Sequence, residues 1–119
     1  MPREIRTRIL ILLPIPKTLP QFYAVMDVID ELERTSGGVT RSDYYAPEIW
    51  GQWFDQWQGK RVEDELVLVI SDDVAALDDP HLESHLEQIK IDAQIALNQD
   101  IIWITTDKIY RIATHDYVK

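Results

Sequence analysis

Three short apolar runs constrain the fold of this chain more than any other feature of its sequence. They are Ile9–Leu13, Leu66–Ile70 and Ile101–Thr105, and each is apolar at nearly every position instead of at every second one. Runs of about four to eight such residues are typical of strands that are buried on both faces. The sequence therefore predicts a sheet whose central strands need cover on both sides.

Two helices are predicted between these strands. Thr18 opens a capping box, Thr-Leu-Pro-Gln, and Gly37 follows the last position with helical spacing. Asp78-Asp79-Pro80 is typical of a second helix start, and Asn98 of its end. The predicted core stripes are Phe22, Val25, Met26, Ile29 and Leu32 in the first helix and Leu82, Leu86, Ile89, Ala93 and Ala96 in the second.

The remaining segments complete the order of elements. Val39–Tyr45 is a plausible strand, and the glycine within Gln58–Lys60 indicates a hairpin tip. Ile109–Ile112 is a candidate short fifth strand after a turn at Asp107-Lys108. The order β-α-β-β-α-β predicts one α+β domain over residues 1–119, a ferredoxin-like plait with an antiparallel sheet and both helices on one face.

Three segments also resemble small, functionally uncharacterised bacterial proteins of this plait type. They are Gly37-Gly-Val-Thr40, Gly51-Gln-Trp53 and Gln99–Ile104. The resemblance spans most of the chain and rests on structural residues. It implies the plait fold and carries no catalytic residues.

A plait with two helices leaves one face of its sheet open, and the apolar runs leave few polar residues for that face. Soluble monomers rarely expose a contiguous apolar patch larger than a few hundred Å². Either a second copy packs sheet to sheet, or another segment of the chain folds over the face. The first alternative predicts a homodimer or a higher homo-oligomer.

The segment that could fold over this face is rich in aromatic residues. Between Gly38 and Gly59 it carries Tyr44, Tyr45, Trp50, Trp53, Phe54 and Trp57. Large rings supply much of the contact energy in cores and at interfaces. These residues either pack across the sheet or subunit interface, or they form a shelf on which a planar or sugar-like ligand stacks, with Gln52, Asp55 or Gln56 as hydrogen-bonding partners.

Other candidate chemistry is sparse. His81 and His85 have the spacing of two metal ligands on one helix face, but Leu82 stands where a metalloprotease needs glutamate. Four aspartates near the start of the second helix could attract a hard cation, while a solvated loop with a helix cap explains them equally: Asp72, Asp73, Asp78 and Asp79. Glu63–Glu65 and His115 are further titratable groups for which a surface role is the simpler interpretation. We therefore predict no catalytic residue, no metal site and no cofactor.

The acidic composition of the chain argues against negatively charged partners. The formal net charge is −9, and the only basic cluster, Arg3, Arg6 and Arg8, is diluted by Glu4. Nucleic-acid and anionic-lipid binding are therefore disfavoured. The chain has no cysteine and no apolar stretch long enough to span a membrane, so we expect a cytoplasmic protein.

The functional expectation is a small binding or interaction domain that acts as a homo-oligomer and is not an enzyme. The alternatives are a cofactor-free plait enzyme of the oxygenase or isomerase type and a small-metabolite sensor built on a long loop over residues 44–60. The enzyme would need a titratable group facing an apolar cavity, for which Tyr110 and His115 are candidates.

Overall fold

The computed structural model describes residues 3–42, 49–55, 59–99 and 101–112, without the side chains of residues 3, 49–55 and 61–64. The described residues form five strands and two helices. In chain order these are β1 Arg3–Pro14, α1 Leu19–Ser36, β2 Thr40–Arg41, β3 Ile49–Asp55, β4 Lys60–Asp73, α2 Pro80–Leu97 and β5 Trp103–Ile112.

All strand pairs in the sheet are antiparallel, and the order is β2-β4-β1-β5 with β3 also paired to β4. β2 pairs with Val69 and Ile70, whereas β3 pairs with the stretch from Lys60 to Leu66. Together β2 and β3 thus fill the place of the second strand of a plait. The predicted β-α-β-β-α-β arrangement is confirmed.

The helix ends follow the local signals in the sequence. The Thr18 hydroxyl accepts a hydrogen bond from the backbone N–H of Gln21 at 3.3 Å, and Gly37 ends α1 in the left-handed conformation with φ of 92°. At α2, the Asp79 carboxylate accepts from the backbone N–H of His81 at 2.8 Å, and Asn98 ends the helix with φ of 52°. Both predicted helices are confirmed to within a residue at each end.

The core lies between the helices and one face of the sheet. Its apolar members are odd-numbered residues of β1 and β4, Ile102 just before β5, and residues of both helices: Ile9, Ile11, Leu13, Val67, Val69, Ile102, Ala24, Val25, Val28, Ile29, Leu32, Leu82, Leu86, Ile89, Ala93 and Leu97. Met26 is 36% exposed and Ala96 is exposed, so these two predicted core positions are wrong. Ala24 and Val28 are buried instead, on the side of α1 that lines a groove together with Ile89 and Ala93 of α2.

Several strand boundaries differ from the sequence prediction. β1 covers Arg3–Pro14 and so extends beyond the predicted Ile9–Leu13, whereas β2 covers only Thr40–Arg41 of the predicted Val39–Tyr45, of which residues 43–45 lie outside the described residues. β4 begins at Lys60, six positions before its apolar run, and so includes Glu63–Glu65. β5 runs without interruption from Trp103 to Ile112, so the predicted turn at Asp107-Lys108 and the separate fifth strand are not confirmed. Residues 49–55 form β3, so the long loop expected over residues 44–60 is wrong for this stretch.

The sheet extends as two-stranded ribbons at opposite ends. Beyond Pro14, β4 continues to Lys60 paired only with β3 among the described strands. At the other end, Arg3–Arg6 pair with Ile109–Ile112 beyond the last β4 partner of β1. The radius of gyration is 16.1 Å, against about 13–14 Å for a compact chain of this length. The molecule is elongated, with extents of 55 × 30 × 23 Å.

Candidate functional site

The sheet face opposite the helices, here called the open face, is the main candidate for a functional surface. Residues directly opposite one another in a ladder share a face of the sheet. Leu12 of β1 lies opposite Leu68 of β4 and Trp103 of β5, and Leu10 lies opposite Ile70. None of these residues belongs to the core cluster that the helices cover. The even-numbered positions of β1 and β4 therefore form the open face.

One end of the open face, the apolar half, consists of Leu10, Leu12, Leu66, Leu68, Ile70 and Trp103. The five aliphatic side chains are half-buried because each has neighbours on the adjoining strands. Trp103 at the edge of this group is 59% exposed. Residues of this kind at the centre of a sheet are unusual on a face in contact with water. The predicted two-sided apolar character of the central strands is therefore present in the structure.

The other end of the open face, the charged half, consists of Glu4, Arg6, Arg8, Asp72 and Arg111. Arg8 donates from Nε and Nη2 to the two Asp72 oxygens at 2.9 and 3.1 Å. Glu4 Oε2 accepts from Arg6 Nη2 at 2.9 Å and from Arg111 Nη2 at 2.8 Å. These contacts join β1 to β4 on one side and to β5 on the other.

The arginines change the protonation behaviour of both carboxyl groups. The hydrogen bond from Arg8 lowers the pKa of Asp72 below its ordinary value, and the positive charges of Arg111 and Arg6 lower it further. The hydrogen bonds from Arg6 and Arg111 lower the pKa of Glu4 in the same way. Arg6, Arg8 and Arg111 all act on Asp72 and are here called the arginine cluster.

The structure describes the backbone of only three of the six aromatic residues that we predicted as ligand or interface residues. Tyr44, Tyr45 and Trp57 lie outside the described residues. Trp50, Trp53 and Phe54 lie in β3, where the register pairs them with Glu65, Val62 and Arg61. Their backbone is thus on the β3–β4 ribbon. Their role in a contact or in ligand binding stays a prediction.

The two histidines of α2 have different surroundings. His81 is exposed, whereas His85 lies in a groove of about 250 Å³ between α1 and α2. His85 Nε2 is 3.6 Å from Glu31 Oε1, and it has no hydrogen-bond partner among the described residues. The expectation that both histidines share a largely solvated face is wrong for His85, because its ring lies against α1. In the described part of the chain, no three or more His, Asp or Glu residues are grouped as a metal ion would require.

The aspartates near α2 have separate structural roles. Asp72 and Asp73 belong to β4, so the expected solvated loop is wrong for these two. Asp73 is buried and accepts a hydrogen bond from the backbone N–H of Ala75 at 2.9 Å. Asp79 caps α2, while Asp78 is exposed. These roles account for three of the four carboxylates.

The candidates for an enzyme are also separated. Tyr110 is 58% exposed on β5, with Lys108 Nζ 5.5 Å from its ring centroid, so it does not face an apolar cavity. His115 lies outside the described residues. Sequence reasoning missed Arg111, which reaches Glu4 only because β5 pairs with β1. The alternation of Glu4, Arg6 and Arg8 was the available signal, since positions two apart on a strand share a face.

No helix among the described residues combines the length and the apolar character needed to cross a membrane.

No protein-family model matches the sequence, and no curated protein matches it either. Among solved structures, the chain is similar to CutA1 from Oryza sativa, with 16% identity, coverage of 89% of this chain and 81% of that one, and a TM-score of 0.54. It is also similar to a phage SAM lyase in complex with S-methyl-5'-thioadenosine, with 16% identity, coverage of 96% and 92%, and a TM-score of 0.54. At this level of identity the similarities show the fold alone, and that fold is the ferredoxin-like plait.

Proposed function

We propose that this chain is a binding domain that acts as a homo-oligomer, in which the apolar half of the open face packs against another copy. One observation carries the proposal. The central strands β1 and β4 are apolar on both faces, and the described helices cover only the face that holds Ile9, Ile11 and Leu13. Leu10 and Leu12 on the other face therefore need a different cover.

Trp103 strengthens the argument for a protein partner. It lies opposite Leu12 at the rim of the apolar half and is 59% exposed. Tryptophan is enriched among the residues that dominate binding energy at protein interfaces, where the surrounding contacts exclude water. A second copy would cover this ring together with the leucines.

The elongated shape supports the same interpretation. A two-stranded ribbon is at best marginally stable alone in water. Here the β3–β4 ribbon extends past Pro14, and the β1–β5 ribbon extends at the opposite end. Contacts with other copies would stabilise both ribbons.

The proposal includes the aromatic residues as part of the contact surface: Tyr44, Tyr45, Trp50, Trp53, Phe54 and Trp57. The position of β3 on an extended ribbon supports this role. We expect Trp53→Ala to weaken the oligomer or to lower the melting temperature. If it leaves both unchanged, the aromatic segment has no part in the interface. The proposal also includes a cytoplasmic location, which the cysteine-free sequence allows.

The test is the mass in solution, measured by light scattering during size-exclusion chromatography. We expect a multiple of 13.9 kDa for the parent protein and a smaller mass for Leu12→Asp, because a carboxylate in an apolar interface must be desolvated. The matched control is Ile95→Asp, which places the same charge on α2 at a side chain that is 76% exposed.

Circular dichroism establishes that each variant is folded. A parent protein that elutes as a 13.9 kDa monomer at micromolar concentration would contradict the proposal. So would a folded Leu12→Asp variant that keeps the parent mass. If Ile95→Asp dissociates the oligomer instead, the interface lies on the helical layer.

A further inference from the structure

The charged half of the open face borders a groove of about 530 Å³, which is within the usual range of about 300–1,000 Å³ for small-molecule sites. Arg6, Arg8 and Arg111 line one side of it. The opposite side is the connection from α1 to β2, with Gly38 and Val39, and the first residue of β2, Thr40. A side chain built at Gly38 would meet no atom within 4 Å, so the backbone there faces open space.

The three guanidinium groups retain hydrogen-bonding capacity toward the groove. Arg6 and Arg8 each use Nε and Nη2 to reach their carboxylates, and Arg111 uses Nη2. Among the described contacts, none involves an Nη1 group of these arginines. Each guanidinium has five N–H donors, and the planar fork suits the paired oxygens of a phosphate or carboxylate.

The carboxylates of this half are unevenly distributed among the three arginines. Glu4 is shared between Arg6 and Arg111, and Asp72 pairs with Arg8. A third carboxylate, Asp107, lies opposite Arg8 in the β1–β5 ladder, and it accepts a hydrogen bond from the backbone N–H of Lys108 at 2.9 Å. The side chains of Arg6 and Glu4 are each only 18% exposed, and a charge-assisted hydrogen bond is stronger in such partly desolvated surroundings than in free solvent.

We propose that this groove binds a small phosphate-bearing molecule through Arg6, Arg8 and Arg111. The inference goes beyond the proposed self-association, since every residue that carries it comes from a single chain. A purely structural ion network, which holds the ends of β1, β4 and β5 together, is the competing explanation. The two explanations differ in the phosphate affinity that they predict for Asp72→Asn. A phosphate site should bind more tightly in this variant, because the carboxylate competes with an incoming phosphate for Arg8. A purely structural network should show no such gain.

The experiment is isothermal titration of inorganic pyrophosphate at constant ionic strength. We expect saturable binding, weakened about ten-fold or more by Arg8→Gln or Arg111→Gln, in line with the loss of a charge-assisted hydrogen bond. Asp72→Asn should bind pyrophosphate more tightly than the parent does. The matched control is Arg34→Gln, which removes a 70% exposed arginine of α1 that also pairs with a carboxylate, Glu31.

Circular dichroism is recorded for every variant, and Arg111→Gln serves as the second test if Arg8→Gln does not fold. Absence of saturable binding at millimolar pyrophosphate would overturn the proposal. An equal loss in Arg34→Gln would also overturn it, since it would indicate a nonspecific charge effect. So would an Asp72→Asn variant that binds no more tightly than the parent. Citrate binding tighter than pyrophosphate would reject phosphate as the ligand group. Repeating the titration with Leu12→Asp separates this result from the test of self-association.

Discussion

The cap of α2 allows a sharp test of how the sequence sets the helix boundary. Asp79 accepts a hydrogen bond from the backbone N–H of His81 at 2.8 Å, and its charge lies at the positive end of the helix dipole. Asp78, one residue earlier, is exposed and caps nothing. The two aspartates therefore differ in contact but hardly in position or chemistry.

The expected magnitudes follow from these contacts. Asp79→Ala removes both the acceptor and the charge, and it should lower the free energy of unfolding by about 1 kcal/mol, within a range of about 0.5–2 kcal/mol. Asp79→Asn keeps an acceptor and loses only the charge, so it should cost a few tenths of a kcal/mol. Asp78→Ala should change the free energy of unfolding by less than about 0.5 kcal/mol.

The assay is equilibrium unfolding in urea at one protein concentration and neutral pH, followed by helical circular dichroism. Thermal melts should agree, with Asp79→Ala lowering the melting temperature by roughly 3–5 °C. The reasoning fails if Asp78→Ala costs as much as Asp79→Ala. It also fails if Asp79→Asn costs as much as the alanine variant, because the hydrogen bond would then contribute nothing.

Three further outcomes are expected. Ile11→Ala empties a fully buried position of β1 and should lower the free energy of unfolding by about 2–5 kcal/mol in urea titrations; a cost below about 1 kcal/mol would contradict the assigned core face. Gly37→Ala forces a side chain into the left-handed region, with φ of 92°, and should lower the free energy of unfolding by about 1–2 kcal/mol. Gly38 has no positive φ, so Gly38→Ala should be close to neutral, and equal effects of the two variants in thermal melts would refute this. The pKa of Asp72 is lowered by Arg8, so its contribution to stability is present above the ordinary aspartate pKa of about 3.9 and is lost as the pH falls through the lower folded value. Melts between neutral pH and pH of about 2 should show a smaller acid loss in Arg8→Gln, and an unchanged acid loss would remove this ion pair as a cause.

The features predicted well from the sequence depend on local chemistry. Thr18, Gly37 and Asp79 mark the helix ends because a cap involves residues only a few positions apart. Two of the three apolar runs, Ile9–Leu13 and Leu66–Ile70, identify the central strands β1 and β4. The third run, Ile101–Thr105, overlaps the edge strand β5 instead, and its expected burial on both faces is wrong, because Ile101 and Trp103 are 64% and 59% exposed. These signals were enough for the order of elements and the plait fold.

The features predicted poorly depend on pairings distant in sequence. Asp107 and Lys108 suggested a turn because both are polar, but in β5 they lie opposite Arg8 and Thr7 of β1. An edge strand tolerates polar residues where solvent is near. β3 was missed for a related reason, since it pairs with the part of β4 that lies beyond β1. The arginine cluster needs Arg111 beside Glu4, a juxtaposition that only the β1–β5 ladder creates.

The place of β1 in the sheet has a consequence for how the chain folds during its synthesis. This early strand lies between β4 and β5, so Thr7 must find Asp73 and Leu12 must find Trp103. Contacts that close such long stretches of chain slow the search for the native state. Until the ribosome has completed β5, a nascent chain carries a strand that is apolar on both faces and lacks one of its partners. Such a segment is a natural target for chaperones that bind exposed apolar strands, and for misassembly between neighbouring nascent chains when chaperones are scarce.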